Sequence, residues 1–385
     1  MATARVLRVG IIGCGRISDL HVMGYRNRAD AAVVALCDVE VENAASKREA
    51  WGLPGAAVFD DYRELCQSGL VDLVEIIVPH HLHYEIATFA IGCDLHVSLQ
   101  KPMSLSLADA DRLLSAAGET SRVVRLYENF LFYPPVVKAL ELVEQGLIGE
   151  PLSVRLKSNA GYSPSAWDIP FSALVWRNNP DECGGGPLVF DDGHHKFSLA
   201  WIILGQPAEV HAWIGSTDVL SFELDSPSLV SMRYSSGAIA NLEVVYSPEL
   251  LVQATEHYAQ DDRMEITGTK GVIWVNRGHG QIGDPPPVVS YTEGRVEAYQ
   301  CPTGWEQSFI GATRSLLDTI AAGREPVLTL AEGRDILAAA LAAQRSARTG
   351  SVVGVEAPVG RSPQAVRAVL ASPAGTDRAT EGGQG

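Results

Sequence analysis

Residues 6–18, VLRVGIIGCGRIS, constrain this chain more than any other stretch. Val6, Leu7, Val9, Ile11 and Ile12 read as a buried strand. Gly13-Cys14-Gly15 reads as a tight turn, and Arg16, Ile17 and Ser18 as the start of a helix. A strand fed through a glycine turn into a helix leaves free N–H groups and the positive end of the helix facing outward, where a pyrophosphate is held. Gly13 permits the turn, and Gly15 lets the backbone approach the phosphates; the third small position is Ser18. A second apolar strand, 32–37, ends in Asp38, about 20 residues beyond the glycines, where a carboxylate takes a ribose diol. The expectation is a dinucleotide-binding domain that prefers NAD. Arg16 leaves NADP possible, because a neighbouring arginine can receive a 2′-phosphate.

At 385 residues the chain is long enough for two domains. Its formal net charge is −16, with no basic stripe, which argues against a nucleic-acid partner. Six scattered cysteines, without a C-x-x-C pair, suit a reducing, cytoplasmic setting without disulfides. No apolar run approaches the roughly 20 residues that span a bilayer, and the first apolar run is the cofactor strand rather than a leader.

Strands and helices then alternate. Helices are expected at 17–27, 42–51, 84–91 and from Ser106, with Asp109 completing a partial capping box, to Gly118; Asp60-Asp61 starts a shorter one through Tyr62, Leu65 and Cys66. Strands are expected at 71–78, 95–99 and 123–127, and VDLVEIIV is apolar enough to be covered on both faces. This spacing makes an α/β, doubly wound parallel sheet over residues 1–128. From Tyr133-Pro134-Pro135 the character changes. Strand-like stretches at 152–156, 210–214, 228–234, 238–246, 263–267 and 272–275 are joined by turn signals, with helices at 136–145, 307–321 and 331–348. Residues 129–360 therefore read as an α+β domain on an open, mainly antiparallel sheet. Residues 361–385 read as a partly disordered tail.

Three places lie at or beside strand ends, where open α/β sheets bind ligands. Pro79-His80-His81-Leu82-His83 carries three imidazoles but no neighbouring carboxylate or thiol ligand. A loop beside the cofactor is the better reading than a metal site, with His83 orienting backbone or cofactor and His80 lining the cleft. Gln100-Lys101-Pro102 follows a buried strand; Lys101 is either a solvated cap or aimed at the cofactor cleft. Gly184-Gly185-Gly186 leads into Asp191-Asp192-Gly193-His194-His195 and an apolar helix. Asp191 and His195, four apart, would share a helical face and make a proton-handling pair, the carboxylate orienting the ring. Alternatively Asp191 is a helix cap beside a satisfied histidine, or Asp192 is the cap and Lys196 simply faces solvent.

Together these stretches resemble the Gfo/Idh/MocA family of NAD(P)-dependent oxidoreductases. The likeness is collinear over about residues 5–355 and rests on Gly13–Ile17, Pro79 with His83, Lys101-Pro102, Gly146-x-x-Gly149-Glu150, Trp176-Arg177, and the triple glycine followed by Asp191, Gly193 and His195. The resemblance implies an N-terminal Rossmann domain, and for residues 129–360 a substrate-binding and oligomerisation role. It implies that Gly13, Cys14, Gly15, Arg16, Ile17, Asp38, Pro79, His80, His83, Gln100 and Lys101 face NAD or NADP. It makes Lys101, His195 and Asp191 catalytic, and Lys101, Asn129, Arg177, Asp191 and His195 the substrate contacts, with no metal. The expected reaction moves a hydride between NAD(P) and a secondary hydroxyl of a sugar, anhydrosugar, glycoside or cyclitol, in a homodimer or homotetramer. A redox-assisted glycosidase and a silent NAD-binding regulator are the alternatives. Two departures stand out. Gln100 replaces the family's usual Glu before Lys-Pro, and the block before Asp191 is one residue longer than the commonest spacing, similar to enzymes that oxidise levoglucosan or glycosides at C3. With Asp38 at the ribose, calorimetric titration should show NAD bound at least about tenfold more tightly than NADP; the opposite order would remove Asp38 from that position.

Overall fold

The computed structural model describes residues 6–219, 222–253 and 256–371. The first module alternates strands β1 (Leu7–Ile12), β2 (Ala31–Cys37), β3 (Ala57–Phe59), β4 (Leu73–Ile76), β5 (His96–Gln100) and β6 (Val124–Tyr127) with helices α1 (Ser18–Met23), α2 (Val41–Ala50), α3 (Tyr62–Gln67), α4 (His83–Gly92) and α5 (Leu107–Gly118). All pairings are parallel, in the order β3-β2-β1-β4-β5-β6, which is the doubly wound sheet expected. β4 is buried along its whole length, as its apolar sequence requires. Ser106 caps α5 through Asp109 N (3.1 Å), as the partial capping box predicts. α1 is shorter than the 17–27 expected: it ends at Gly24, and the chain turns through Asn27 at φ 59°.

Parallel pairing puts every strand's C-terminal end on one edge. Ile12 is level with Cys37 and Ile76, Ile76 with Leu99, and Leu99 with Leu126. Gly13, Asp38, Lys101 and Glu128 therefore emerge side by side, although they are scattered over more than a hundred residues of sequence. Gly13 sits at φ +95°, and a Cβ there would lie 2.1 Å from Ile77 O, so the turn admits only glycine.

The second module starts with α6 (Pro134–Glu144) and the long strand β7 (Pro151–Tyr162). α7 (Phe171–Arg177) and α8 (Pro180–Cys183) follow, then a π-helical turn (Pro187–Asp192) that runs into α9 (Gly193–Leu204). Next come β8 (Glu209–Ile214), β9 (Thr217–Val219), β10 (Phe222–Leu224), β11 (Ser228–Arg233), β12 (Ile239–Leu251), β13 (Gln260–Gly268), β14 (Gly271–Val275), β15 (Val288–Thr292) and β16 (Arg295–Tyr299). α10 (Glu306–Ala322), α11 (Leu330–Thr349), β17 (Val353–Gly354) and α12 (Pro363–Ala371) complete the described chain. The large sheet has the order β16-β15-β14-β13-β7-β12-β11-β8-β17 and is antiparallel except at β7/β12. Its inner face carries Val154, Leu156, Ala240, Leu242, Val244 and Ile266, which pack with α9 in one core.

Two expectations need correction. Residue 128 separates the sheets but not the packing. Leu316 and Leu317 of α10 join the core of the first module, and Thr313 sits so close to Gly24 that a Cβ there would meet it at 2.3 Å. The tail is not disordered from 361. α12 is seated by Val366, fully buried, and by Arg367, which pairs with Glu144 and donates to Ile202 O. A helix whose apolar side finds a groove orders despite its polar neighbours. The expectation for residues 372–385 lies outside the described residues.

Gly13→Ala should lower stability by at least ~2 kcal/mol, because a left-handed φ and a backbone clash coincide, and should weaken NAD binding. Gly15→Ala, with open space around its Cβ position, should leave thermal unfolding almost unchanged.

Candidate active site

The nucleotide end is built by backbone geometry. Cys14 N donates to Asp38 Oδ2 (2.8 Å) and Glu40 N to Asp38 Oδ1 (3.0 Å), so the carboxylate is locked beside the glycine turn. Space around Gly15 is open. Cys14 itself is buried, and burial first, then Asp38, pushes its thiol up to about 12; it serves through its backbone, not as a nucleophile. Arg16 lies over the Trp167 ring (5.3 Å), tying the glycine turn to the loop that follows β7. A non-clashing approach at Gly15, a fixed carboxylate at the end of β2 and the glycine-only turn fit a dinucleotide.

Lys101 leaves the end of β5 and crosses to the second module. Its Nζ donates to Asp191 Oδ1 (2.7 Å) and to Asp191 O (2.8 Å). Arg177 Nε holds the other oxygen at 2.8 Å, and His80 Nε2 lies 3.3 Å from Oδ1. Burial alone would raise the Asp191 carboxyl, but Lys101, His80 and Arg177 overcome it and hold it well below the usual carboxylate range. His80 is anchored at its other nitrogen by Cys183 O (2.8 Å). His83 reaches Pro102 O (2.6 Å) and Val78 O (3.0 Å), bracing the backbone beside Lys101. Burial, then His80, pushes His83 down to about 3, so its ring is neutral and its single N–H can donate to only one of these two carbonyls. His80 and His83 thus take separate tasks, and His81 is exposed.

Asp191 does not orient His195, contrary to the shared-face expectation. The chain reaches Asp191 through a π-helical turn, with Asp191 N bonded five residues back to Gly186 O (3.2 Å). The wider turn breaks the four-residue register, so the two side chains diverge. His195 Nδ1 instead meets Glu128 Oε1 at 2.7 Å, and the ring stacks on Phe130 (centroids 4.5 Å apart). Glu128, from the end of β6, is fixed by Phe130 N (3.0 Å) and Ser198 Oγ (3.1 Å). Burial would raise Glu128, but the facing His195 ring holds it down at about 2. For His195 itself, burial is the largest influence and outweighs Glu128, so its pKa is lowered. The ring is neutral, because burial and Lys101 both oppose an imidazolium, while the backbone N–H of Phe130 independently supports the Glu128 carboxylate. The proton then sits on Nδ1, leaving Nε2 as the acceptor.

Glu128 is the functional residue that sequence reasoning missed; its one signal is a carboxylate directly after a buried parallel strand. Asn129, expected at the substrate, is buried instead and donates to Ser308 Oγ of α10 (2.9 Å). Lys196 does not face solvent: its Nζ is buried between Asp192 (2.7 Å) and Asp262 (3.0 Å), over the Phe130 ring. Burial would lower its pKa, but the two carboxylates raise it, so the ammonium persists. Asp192 makes this pair rather than a side-chain cap. From Phe130 an aromatic wall continues through His279 (5.4 Å), with Trp305 (4.1 Å) and Tyr258 (5.4 Å) against it, and Tyr258 leads to Trp167 (6.0 Å).

With this geometry in hand, residues 7–128 match the family model described as "Oxidoreductase family, NAD-binding Rossmann fold", and residues 136–274 match "GFO/IDH/MocA C-terminal domain". The chain is 25% identical over 362 residues to the myo-inositol 2-dehydrogenase of Thermotoga maritima, covering 92% of this chain and 100% of that protein. It is 25% identical over 268 residues to the D-glucoside 3-dehydrogenase of Escherichia coli, covering 66% and 74%. The solved levoglucosan dehydrogenase in complex with NADH and levoglucosan shares its fold, with a TM-score of 0.77 at 21% identity over 92% of this chain and 100% of that one.

A base that must be neutral loses function as pH falls. With His195 lowered below the usual histidine value of about 6.5, the acid limb of kcat/KM should lie below that value. Glu128→Gln removes the partner that raises the ring, so the limb should move further down and kcat should fall about 10²-fold. A pH–rate profile identical to the parent would remove Glu128 from the site.

Proposed function

The chain belongs to the Gfo/Idh/MocA family of NAD-binding oxidoreductases, and on that premise we propose that it oxidises a secondary hydroxyl of a cyclic sugar, glycoside or cyclitol with His195 and Lys101 at the reacting carbon. The observation that carries the residue assignment is that two pairs, Lys101–Asp191 and Glu128–His195, meet where the strand ends of the first module face the second. Gly13, Gly15 and Asp38 would hold the dinucleotide, and NAD, when bound, supplies the acceptor for the hydride.

His195 Nε2 takes the hydroxyl proton, and Glu128 stabilises the imidazolium that results. The Lys101 ammonium donates to the oxygen as negative charge develops there, a contribution that acts in the transition state more than in the ground state. Asp191 and Arg177, already locked to each other, bind hydroxyls next to the reacting one. Asp191 must share Lys101 with the substrate, so binding exchanges one hydrogen bond for another instead of exposing a buried charge. The half-buried rings of Trp167 and Tyr258 suit the apolar C–H face of a sugar ring. Relatives acting on inositol and on glucosides support a cyclic polyol as the substrate class.

We place the enzyme in the cytoplasm as a homodimer or homotetramer. The cysteines are free, and among the described residues no helix is long and apolar enough to cross a membrane. Trp213, Leu229 and Ile239 leave apolar surface on the outer face of the large sheet.

In a panel of inositols, pyranosides and anhydrosugars, NADH absorbance should report turnover on at least one cyclic substrate. Lys101→Ala and His195→Ala should each lower kcat by about 10²–10⁴ while NAD binding persists. Turnover near the parent value in either variant would overturn the assigned roles.

A further inference from the structure

Behind Lys101 the first module holds a polar cluster that the reaction does not use. Glu75 is buried in the middle of β4, and Arg125 of β6 lies level with it across Ser98 of β5. Tyr25 Oη donates to Glu75 Oε1 (2.9 Å), and the Arg125 guanidinium lies 3.5 Å from the same oxygen. Burial alone would raise this carboxyl, but His21 and Arg125 lower it, so Glu75 is ionised. His21 of α1 is equally buried, packed against Tyr127 (4.3 Å) and Phe309 (5.3 Å). Its Nδ1 faces Glu75 Oε2 at 2.8 Å, and its Nε2 faces Gln100 Nε2 at 3.1 Å.

Hydrogen-bond bookkeeping admits one assignment here. The peptide N–H of Lys101 can only donate, and it meets Gln100 Oε1 at 2.8 Å. The other end of that amide is therefore the NH₂ group, which also only donates. His21 Nε2 must then be the acceptor, and the single proton of the ring sits on Nδ1, where it is donated to Glu75. An imidazolium, or the other tautomer, would set N–H against N–H inside the core, leaving donors unpaired at a cost of about 1–3 kcal/mol.

We infer that Glu75 and His21 are positioning residues for Lys101: the carboxylate selects the Nδ1–H form of the ring, the ring orients the Gln100 amide, and the amide holds the peptide from which Lys101 projects to Asp191. The inference rests on the reading of Lys101 as a group at the reaction centre. It also accounts for Gln100 where the resemblance leads one to expect a glutamate. A second carboxylate would flank His21 from the opposite side, and the ring would have to take a second proton.

Nitrogen-15 NMR of the ring reads the inference directly, without reference to activity. The wild-type protein should show His21 neutral and protonated at Nδ1. Gln100→Glu should convert it to imidazolium with both contacts of position 100 kept, whereas Gln100→Leu removes both and should lower kcat about 10- to 100-fold by freeing the Lys101 peptide, with KM for NAD little changed. Combining Gln100→Glu with Glu75→Gln restores one carboxylate to the cluster. The ring should return to neutral, now protonated at Nε2. An imidazolium or Nε2–H ring in the wild type overturns the inference. So does a Gln100→Leu variant that binds NAD normally and turns over at the parent rate. If Lys101→Ala proved active, the reaction-centre reading would fall, while the ring spectrum would still decide the tautomer.

Discussion

The Asp191 carboxylate is the joint on which the cleft depends. It is buried, and an unpaired charge there would cost several kcal/mol; the fold answers with Lys101 from one module and Arg177 from the other. Neither cation alone satisfies both oxygens. The position of Asp191 is therefore defined only when the two sheets are docked, and docking in turn brings Lys101 to a place where a substrate oxygen can replace part of its bonding.

A second joint runs in the opposite sense. There the first module supplies the carboxylate, Glu128, and the second supplies the cation-forming ring, His195. Crossed pairs of this kind make each module complete the chemistry of the other. They also separate the two electrostatic tasks. Asp191 is held ionised by three neighbours that favour its charge, whereas His195 is held neutral by burial and by Lys101 despite its carboxylate partner. In the proposed reaction, a group that keeps its charge and a group ready to change it stand within one cleft, as alcohol oxidation with general-base help requires.

Much of this was legible in the chain. The Gly13 turn, Asp38 and the strand ends at Pro79 and Lys101 follow from local patterning, because a strand, a tight turn and a helix start are set by neighbouring residues. Lys101, Asp191, His195 and Arg177 stand out as candidates in the chain; the first, second and fourth meet in one cluster, while His195 pairs with Glu128. The pairing between them was not legible. Spacing of four suggested that Asp191 orients His195, but a π-helical turn intervenes, and sequence offers no dependable signal for one extra residue per turn. Lys196 looked solvent-facing because lysine usually is; it is buried because Asp192 and Asp262 surround it. Asn129 and the helix at 363–371 were misjudged for the same reason, since the surfaces that receive them come from distant segments.

The sequence by itself determined the module order, the dinucleotide turn and the inventory of titratable groups, since periodicity, glycine conformation and residue chemistry act over a few positions. Tertiary structure decided which carboxylate serves which cation. Lys101 and Asp191 are 90 residues apart, and Glu128 and His195 are 67 apart. Electrostatic pairing depends on distance in space and on exclusion of water, and both exist only once the two sheets have closed on each other.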